Sequence, residues 1–72
     1  MPKLPVLTPE KVIKILLRNG FELDHSRGSH RVYYNSSNGK RVTIPYHKKN
    51  LPKGTLFSIL QQAGLTKEDI IE

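Results

Sequence analysis

Phe21-Glu22-Leu23-Asp24-His25-Ser26-Arg27-Gly28-Ser29-His30-Arg31-Val32-Tyr33-Tyr34-Asn35-Ser36-Ser37-Asn38-Gly39-Lys40-Arg41-Val42-Thr43-Ile44-Pro45 is the stretch that decides the fold. Phe21-Glu22-Leu23-Asp24 alternates apolar and polar residues, which marks a half-buried strand. Ser26-Arg27-Gly28 reads as a tight turn, and a second strand follows from Ser29 to Tyr34. Asn35-Ser36-Ser37-Asn38-Gly39 signals a hairpin, because Asn38-Gly39 tolerates positive φ. Arg41-Val42-Thr43-Ile44 supplies a third strand, and Pro45 closes it because proline cannot donate to a central ladder. Connections this short make the three strands an antiparallel meander.

Helices are predicted on either side. Thr8 can cap, Pro9 suits the first helical position, and Glu10 favours the positive end of the helix dipole. Val12, Ile13, Leu16 and Leu17 then share a face at helical spacing, with Lys11, Lys14 and Arg18 outside it, until Asn19-Gly20 stops the helix. After the meander a basic loop, His47 to Gly54, leads into a second helix with Leu56, Ile59, Leu60 and Ala63 inward and Gly64 at its end. Thr66 to Asp69 forms a capping box for a short last turn, Lys67 to Ile71, and residues 1–7 read as an extended lead-in. The expected class is α+β, in the order α-β-β-β-α with a short C-terminal helix. Both helices would cover one face of a three-stranded antiparallel sheet, an arrangement similar to a double-stranded-RNA-binding domain, and the other face would stay open. With 72 residues the chain has room for a single domain, 1–72.

Charge points to the partner. The formal net charge is +6, and residues 25–67 hold no carboxylate although they contain eight of the twelve Lys and Arg and all three histidines. A pattern that serves solubility alone intersperses both signs. Nucleic acid is therefore the leading partner, ahead of an anionic membrane surface or an acidic protein. The absence of cysteine excludes disulfides and cysteine-based zinc sites. Prolines interrupt the N-terminus, where no apolar signal-peptide core is found, and no apolar run approaches the ~20 residues of a membrane span. The expected location is the cytoplasm.

Among residues that can carry chemistry, His30 comes first. It lies in Arg27-Gly28-Ser29-His30-Arg31, where Gly28 lets the backbone pass close to a ligand and Ser29 adds a hydroxyl and an N–H. Arg27 and Arg31 would attract a phosphodiester, and a neutral imidazole is a competent general base near pH 7. The bland alternative is a histidine that only packs or caps the strand. His47, just past the third strand, is a second possible acid/base, competing with the reading that it is a plain surface histidine; His25 has no motif around it and reads as ordinary surface. Lys40, Arg41, Lys48, Lys49 and Lys53 look like contacts to a phosphate backbone, Lys53 helped by the start of the second helix. Tyr33 and Tyr34 must point to opposite faces, but the uncertain register leaves open which is buried. Three histidines with every carboxylate near the chain ends make a poor metal set, so no metal is expected. No phosphate loop, nucleophile elbow or dinucleotide fingerprint is present, so no cofactor is expected either.

Taken together, Asn19-Gly20-Phe21, Gly28-Ser29-His30, Tyr33, Asn38-Gly39, Ile44-Pro45-Tyr46-His47, Leu51-Pro52-Lys53-Gly54-Thr55-Leu56, Ile59-Leu60 and Ala63-Gly64-Leu65 resemble the HicA (YcfA-like) toxin family over about residues 9–70. What the resemblance implies is a ribosome-independent mRNA interferase with a fold like that of double-stranded-RNA-binding domains. It further implies that the histidine of Gly-Ser-His, here His30, is catalytic, and that a HicB-type antitoxin restrains the toxin. RNA-binding residues would be Arg27, Gly28, Ser29, Arg31, Lys40, Arg41, Lys48, Lys49 and Lys53. DNA, lacking the 2′-OH, would not be cut. A non-catalytic RNA-binding module using the same basic face is the main alternative, and a subunit that docks an acidic protein is the third.

Overall fold

In the computed structural model, which describes residues 6–70, Thr8 starts the first helix as its chemistry predicts. Its hydroxyl oxygen accepts the Lys11 N–H at 3.4 Å, and α1 runs over Pro9–Arg18. Gly20 takes φ +89° and the Phe21 N–H returns to the Leu16 carbonyl at 3.0 Å, which ends the helix. The buried side chains are Pro9, Val12, Ile13, Ile15 and Leu16, whereas Leu17 is 52% exposed. This corrects the expected face, which had Leu17 inward. Ile15 is covered because Leu7 and Ile70 close on that flank of α1, shifting the buried stripe away from Leu17.

Three strands follow: β1 (Glu22–Arg27), β2 (His30–Asn35) and β3 (Lys40–Pro45), antiparallel, with β2 in the middle. The first strand is longer than its alternation suggested, and the turn is Gly28-Ser29 rather than Ser26-Arg27-Gly28, with Arg27 facing His30 across it. Gly28 has φ +58° at the first central position, which a two-residue hairpin loop of this kind reserves for glycine. A bulge at Asp24 shifts the register between Leu23 and His25. Phe21, just ahead of the strand, is only 2% exposed, yet none of the six β1 side chains is buried and Leu23 is 53% exposed. The half-buried strand is thus an exposed edge strand. Its apolar anchor is the residue that precedes it.

The second connection is a four-residue turn, Ser36 to Gly39. Of its Asn-Gly pair only Gly39 takes positive φ, +73°; Asn38 instead accepts the Lys40 N–H on its side-chain oxygen at 2.9 Å. Tyr33 (3% exposed), Val42 and Ile44 face inward, so Tyr33 is the buried tyrosine and Tyr34 lies on the other face, half-buried. Asn35 is buried beside them; its amide donates to the Asn19 carbonyl (3.1 Å) and its oxygen accepts the Ser37 N–H (2.9 Å), tying the end of α1 to the end of β2.

Helix α2 (Lys53–Ala63) buries Leu56, Ile59, Leu60 and Ala63 against the sheet. Gly64 at φ +71° and a Leu65 N–H bonded to the Leu60 carbonyl at 2.9 Å terminate it, as expected. Its C-terminal end meets the start of β3, where the Lys40 stem lies against Gly64. Gln62 caps the free edge of β3 by accepting the Thr43 N–H at 3.3 Å. In α3 (Lys67–Ile70) the Asp69 carboxylate accepts the Thr66 N–H at 2.8 Å and the Thr66 hydroxyl at 3.1 Å, the acidic half of the capping box. Helical and sheet residues share one hydrophobic core, so the helices lie on one face of the sheet and the opposite face is open. Leu7, of the lead-in, packs on that core and accepts the Leu51 N–H at 2.8 Å. Residues 1–5 and the end of the last predicted turn at Ile71 lie outside the described residues.

Candidate RNA-binding face and its histidines

Strand parity decides which side chains meet. In β2, Arg31, Tyr33 and Asn35 turn toward the helices, so His30, Val32 and Tyr34 turn to the open face. Register carries this across the sheet: His30 pairs with Arg27 on β1 and with Pro45 on β3, Val32 with His25 and Thr43, and Tyr34 with Glu22 and Arg41. Paired residues share a face, so Arg27 and His25 stand on the same open surface as His30. All three are exposed. Nothing lies within 4 Å of where a Cβ on Gly28 would stand, so the turn beside His30 presents bare backbone to solvent.

Arg31 departs from the expected flanking pair. It pairs with buried Ile44, so it turns to the helix side, where its guanidinium stacks on the Tyr46 ring at 3.7 Å from the ring centre. The Ser29 carbonyl accepts the Tyr46 N–H, so hairpin and following loop are joined at this end of the sheet. That loop carries His47, Lys48 and Lys49, all exposed, and leads to Lys53, the first residue of α2. Pro52 at the helix start offers no side-chain cap. The basic residues of the hairpin and of the loop joined to it are Arg27, Arg31, Lys48 and Lys49, while Lys53 lines a groove with Leu65, Thr66, Lys67 and Glu68.

Lys40 and Arg41 do not join them. They sit at the opposite end of β3, and five residues of strand separate Lys40's partner Asn35 from His30, about 17 Å at the usual rise. Lys40 lies on the helix side against Gly64. Arg41 is on the open face, where it donates to the Asp24 carboxylate at 2.8 Å and sits over the Tyr34 ring at 4.6 Å. The same carboxylate oxygen holds His25 through Nδ1, also at 2.8 Å. Hydrogen bonding to His25, helped by the Arg41 charge, holds the Asp24 carboxyl below its ordinary range.

His25 reads from sequence as ordinary surface, and its neighbour Asp24 only as a strand residue. The adjacent acid and imidazole were visible, but only the bulge and Arg41 arriving from β3 turn them onto one face. Among the described residues no three His, Cys, Asp or Glu side chains gather as a metal site would require.

No curated protein matches the chain. No helix among the described residues is long and apolar enough to cross a membrane. The family profile described as the HicA toxin of bacterial toxin–antitoxin systems matches residues 9–65, from the first helix through the end of the second, including the whole sheet. With the greater part of its length matched, the chain belongs to the HicA toxin family: it is a toxin whose partner is an antitoxin.

Proposed function

We propose that this toxin is an endoribonuclease that cuts mRNA without the ribosome and without a metal ion, and that His30 moves the proton. The observation that carries the reading is the placement of His30: exposed, on the open sheet face, paired with Arg27 and next to the bare backbone of Gly28. An imidazole there can take the proton from a ribose 2′-OH, whose oxygen then attacks the adjacent phosphorus in line. The P–O5′ bond breaks, leaving a 2′,3′-cyclic phosphate and a 5′-OH once a proton reaches the departing oxygen. Such proton transfer contributes typically ~10²–10⁴-fold. Arg27 is placed to stabilise charge on the non-bridging oxygens, while Gly28 and Ser29 supply backbone at close range. Arg31, Lys48, Lys49 and Lys53 would hold the strand as it leaves the sheet end, with Lys40 and Arg41 reached only by a longer RNA. His47, the other acid/base candidate in the sequence, stands in the exposed loop joined to this end.

A single domain over 1–72, a cytoplasmic site of action and a HicB-type antitoxin that covers the open face complete the reading. The test is incubation of the pure protein with end-labelled mRNA in EDTA, with His30→Ala beside it. Cleavage by the wild type to cyclic-phosphate ends, no cleavage of DNA, and loss of at least about 100-fold in the variant are expected. A folded His30→Ala protein that cuts at full rate overturns the mechanism. RNA that is bound but left intact by the wild type would make the protein a non-catalytic binder.

A further inference from the structure

Cyclising cleavage needs two proton transfers, and His30 supplies one of them. We propose that His25, held by Asp24, is the general acid that protonates the leaving 5′-oxygen; the proposal rests on the ribonuclease reading above. Three observations carry it. First, His25 and His30 share the open face: His25 pairs with Val32 and His30 with Arg27, which makes the two imidazoles diagonal neighbours on adjacent strands. Diagonal positions in an antiparallel pair lie about 7–8 Å apart, near enough for two rings to reach opposite sides of one phosphorus.

Second, the His25 ring is oriented. An ionised carboxylate only accepts hydrogen bonds, so the 2.8 Å contact to Asp24 places a hydrogen on Nδ1 and leaves Nε2 pointing away from it. Asp24 is fixed in turn by Arg41, which is itself stacked over Tyr34. Third, His47 has no such support: no hydrogen bond or ion pair to its ring occurs among those described, and it lies in an exposed loop beyond the paired strands. The charged and titratable groups that face His25 on this surface are Asp24, Arg41, Glu22, Arg27, His30 and Tyr34.

The proton balance is complete. His30 removes the 2′-OH proton, O2′ bonds to phosphorus, the P–O5′ bond breaks, and the proton on Nε2 of the His25 imidazolium passes to O5′. Asp24 and Arg41 act only by positioning.

A leaving group that needs no proton isolates this step. One cut site is mapped in a short RNA, and the substrate is remade with sulfur in place of the scissile 5′-oxygen, since a thiolate departs unprotonated. On the oxygen substrate His25→Ala should lose about 100-fold or more. On the sulfur substrate it should stay within about threefold of wild type, while His30→Ala is inactive on both. Asp24→Asn should repeat the His25→Ala pattern more weakly, with sulfur again restoring the rate. The His25 side chain is 54% exposed, so the variant gives up its bond to Asp24 but no core contact and should stay folded. Wild-type cleavage of the oxygen substrate by His25→Ala, equal losses on both substrates, or sulfur rescue of His47→Ala instead would each overturn the assignment. Full activity of His30→Ala on oxygen RNA would instead overturn the ribonuclease reading itself.

Discussion

Replacing Gly28 by alanine separates two reasons for a glycine in the hairpin. One is conformational: φ is +58°, a region where a Cβ is strained. The other is access, since a Cβ would stand between the turn backbone and whatever binds there. Within the protein a Cβ at Gly28 meets nothing within 4 Å, so only backbone strain is charged to folding, about 1–3 kcal/mol. For a chain of this size that is a melting shift of roughly 4–8 °C per kcal/mol, and a stability on the order of 4–10 kcal/mol leaves the variant folded. Gly39 provides an internal comparison: φ is +73° and a Cβ there also meets nothing within 4 Å, but it lies in the other hairpin, at the far end of the sheet. Both variants should therefore lose similar stability in thermal melts followed by circular dichroism. In RNA cleavage they should part. Gly28→Ala should fall by at least about tenfold, since a misplaced reacting group is costly, and Gly39→Ala should stay near wild type. Equal activity of the two would refute close approach of RNA to the Gly28 backbone, and a loss of stability at Gly28 far beyond Gly39 would refute the strain argument.

Asn35→Ala, at a 4%-exposed position, removes the two hydrogen bonds that the amide makes to the Asn19 carbonyl and the Ser37 N–H. The expected cost is about 2–3 kcal/mol, read from the urea midpoint; a cost near zero would mean that water replaces the amide freely. Ile44→Ala empties a fully buried position between β3 and α2 and should cost about 2–5 kcal/mol with no direct effect on the open face. For Asp24 the sign follows from its lowered folded-state pKa, caused by the bond to His25 and the Arg41 charge. Its stabilising contribution is present above the unfolded value of 3.8 and is lost as pH falls through the folded value. The melting-temperature gap between wild type and Asp24→Asn should therefore be widest at about pH 6 and close as the pH is lowered toward about 2. A gap that widens on acidification would contradict the pairing seen in the structure.

Much of the architecture is legible in local chemistry. Thr8-Pro9, Gly20 and Gly64 set helix ends through backbone preferences that need no tertiary partner, and those ends stand where the residues put them. Local chemistry gives the wrong answer where a distant partner decides the outcome. Leu17 fits the apolar face of α1 by spacing, but Ile15 is the residue buried, on the flank that Leu7 and Ile70 share. Leu23 follows the alternation of a half-buried strand, but α2 packs over β3, at the other edge of the sheet. The family motif marked His30, yet parity turns Arg31 away from it, and the two-residue turn at Gly28-Ser29 sets that parity. Charge alone groups Lys40 and Arg41 with the basic face, but charge has no register, and the strand carries them to the far end.

The edge strand gives this fold a useful separation. Every β1 side chain is exposed, so β1 is held chiefly by its ladder to β2 and anchored by Phe21 just outside it. Core energetics therefore place little restriction on what stands at Asp24, His25 or Arg27. Substituting Arg27 should alter the open face at a cost within about 0.5 kcal/mol, and substituting Asp24 or His25 gives up their mutual bond and the Arg41 pair but leaves the hydrophobic core intact. His30 enjoys the same freedom for a different reason: it belongs to the central strand but turns to the uncovered side. Stability and surface chemistry thus reside on opposite faces of one three-stranded sheet. On the reading proposed above, an antitoxin seated on the open face would leave the packing beneath it undisturbed.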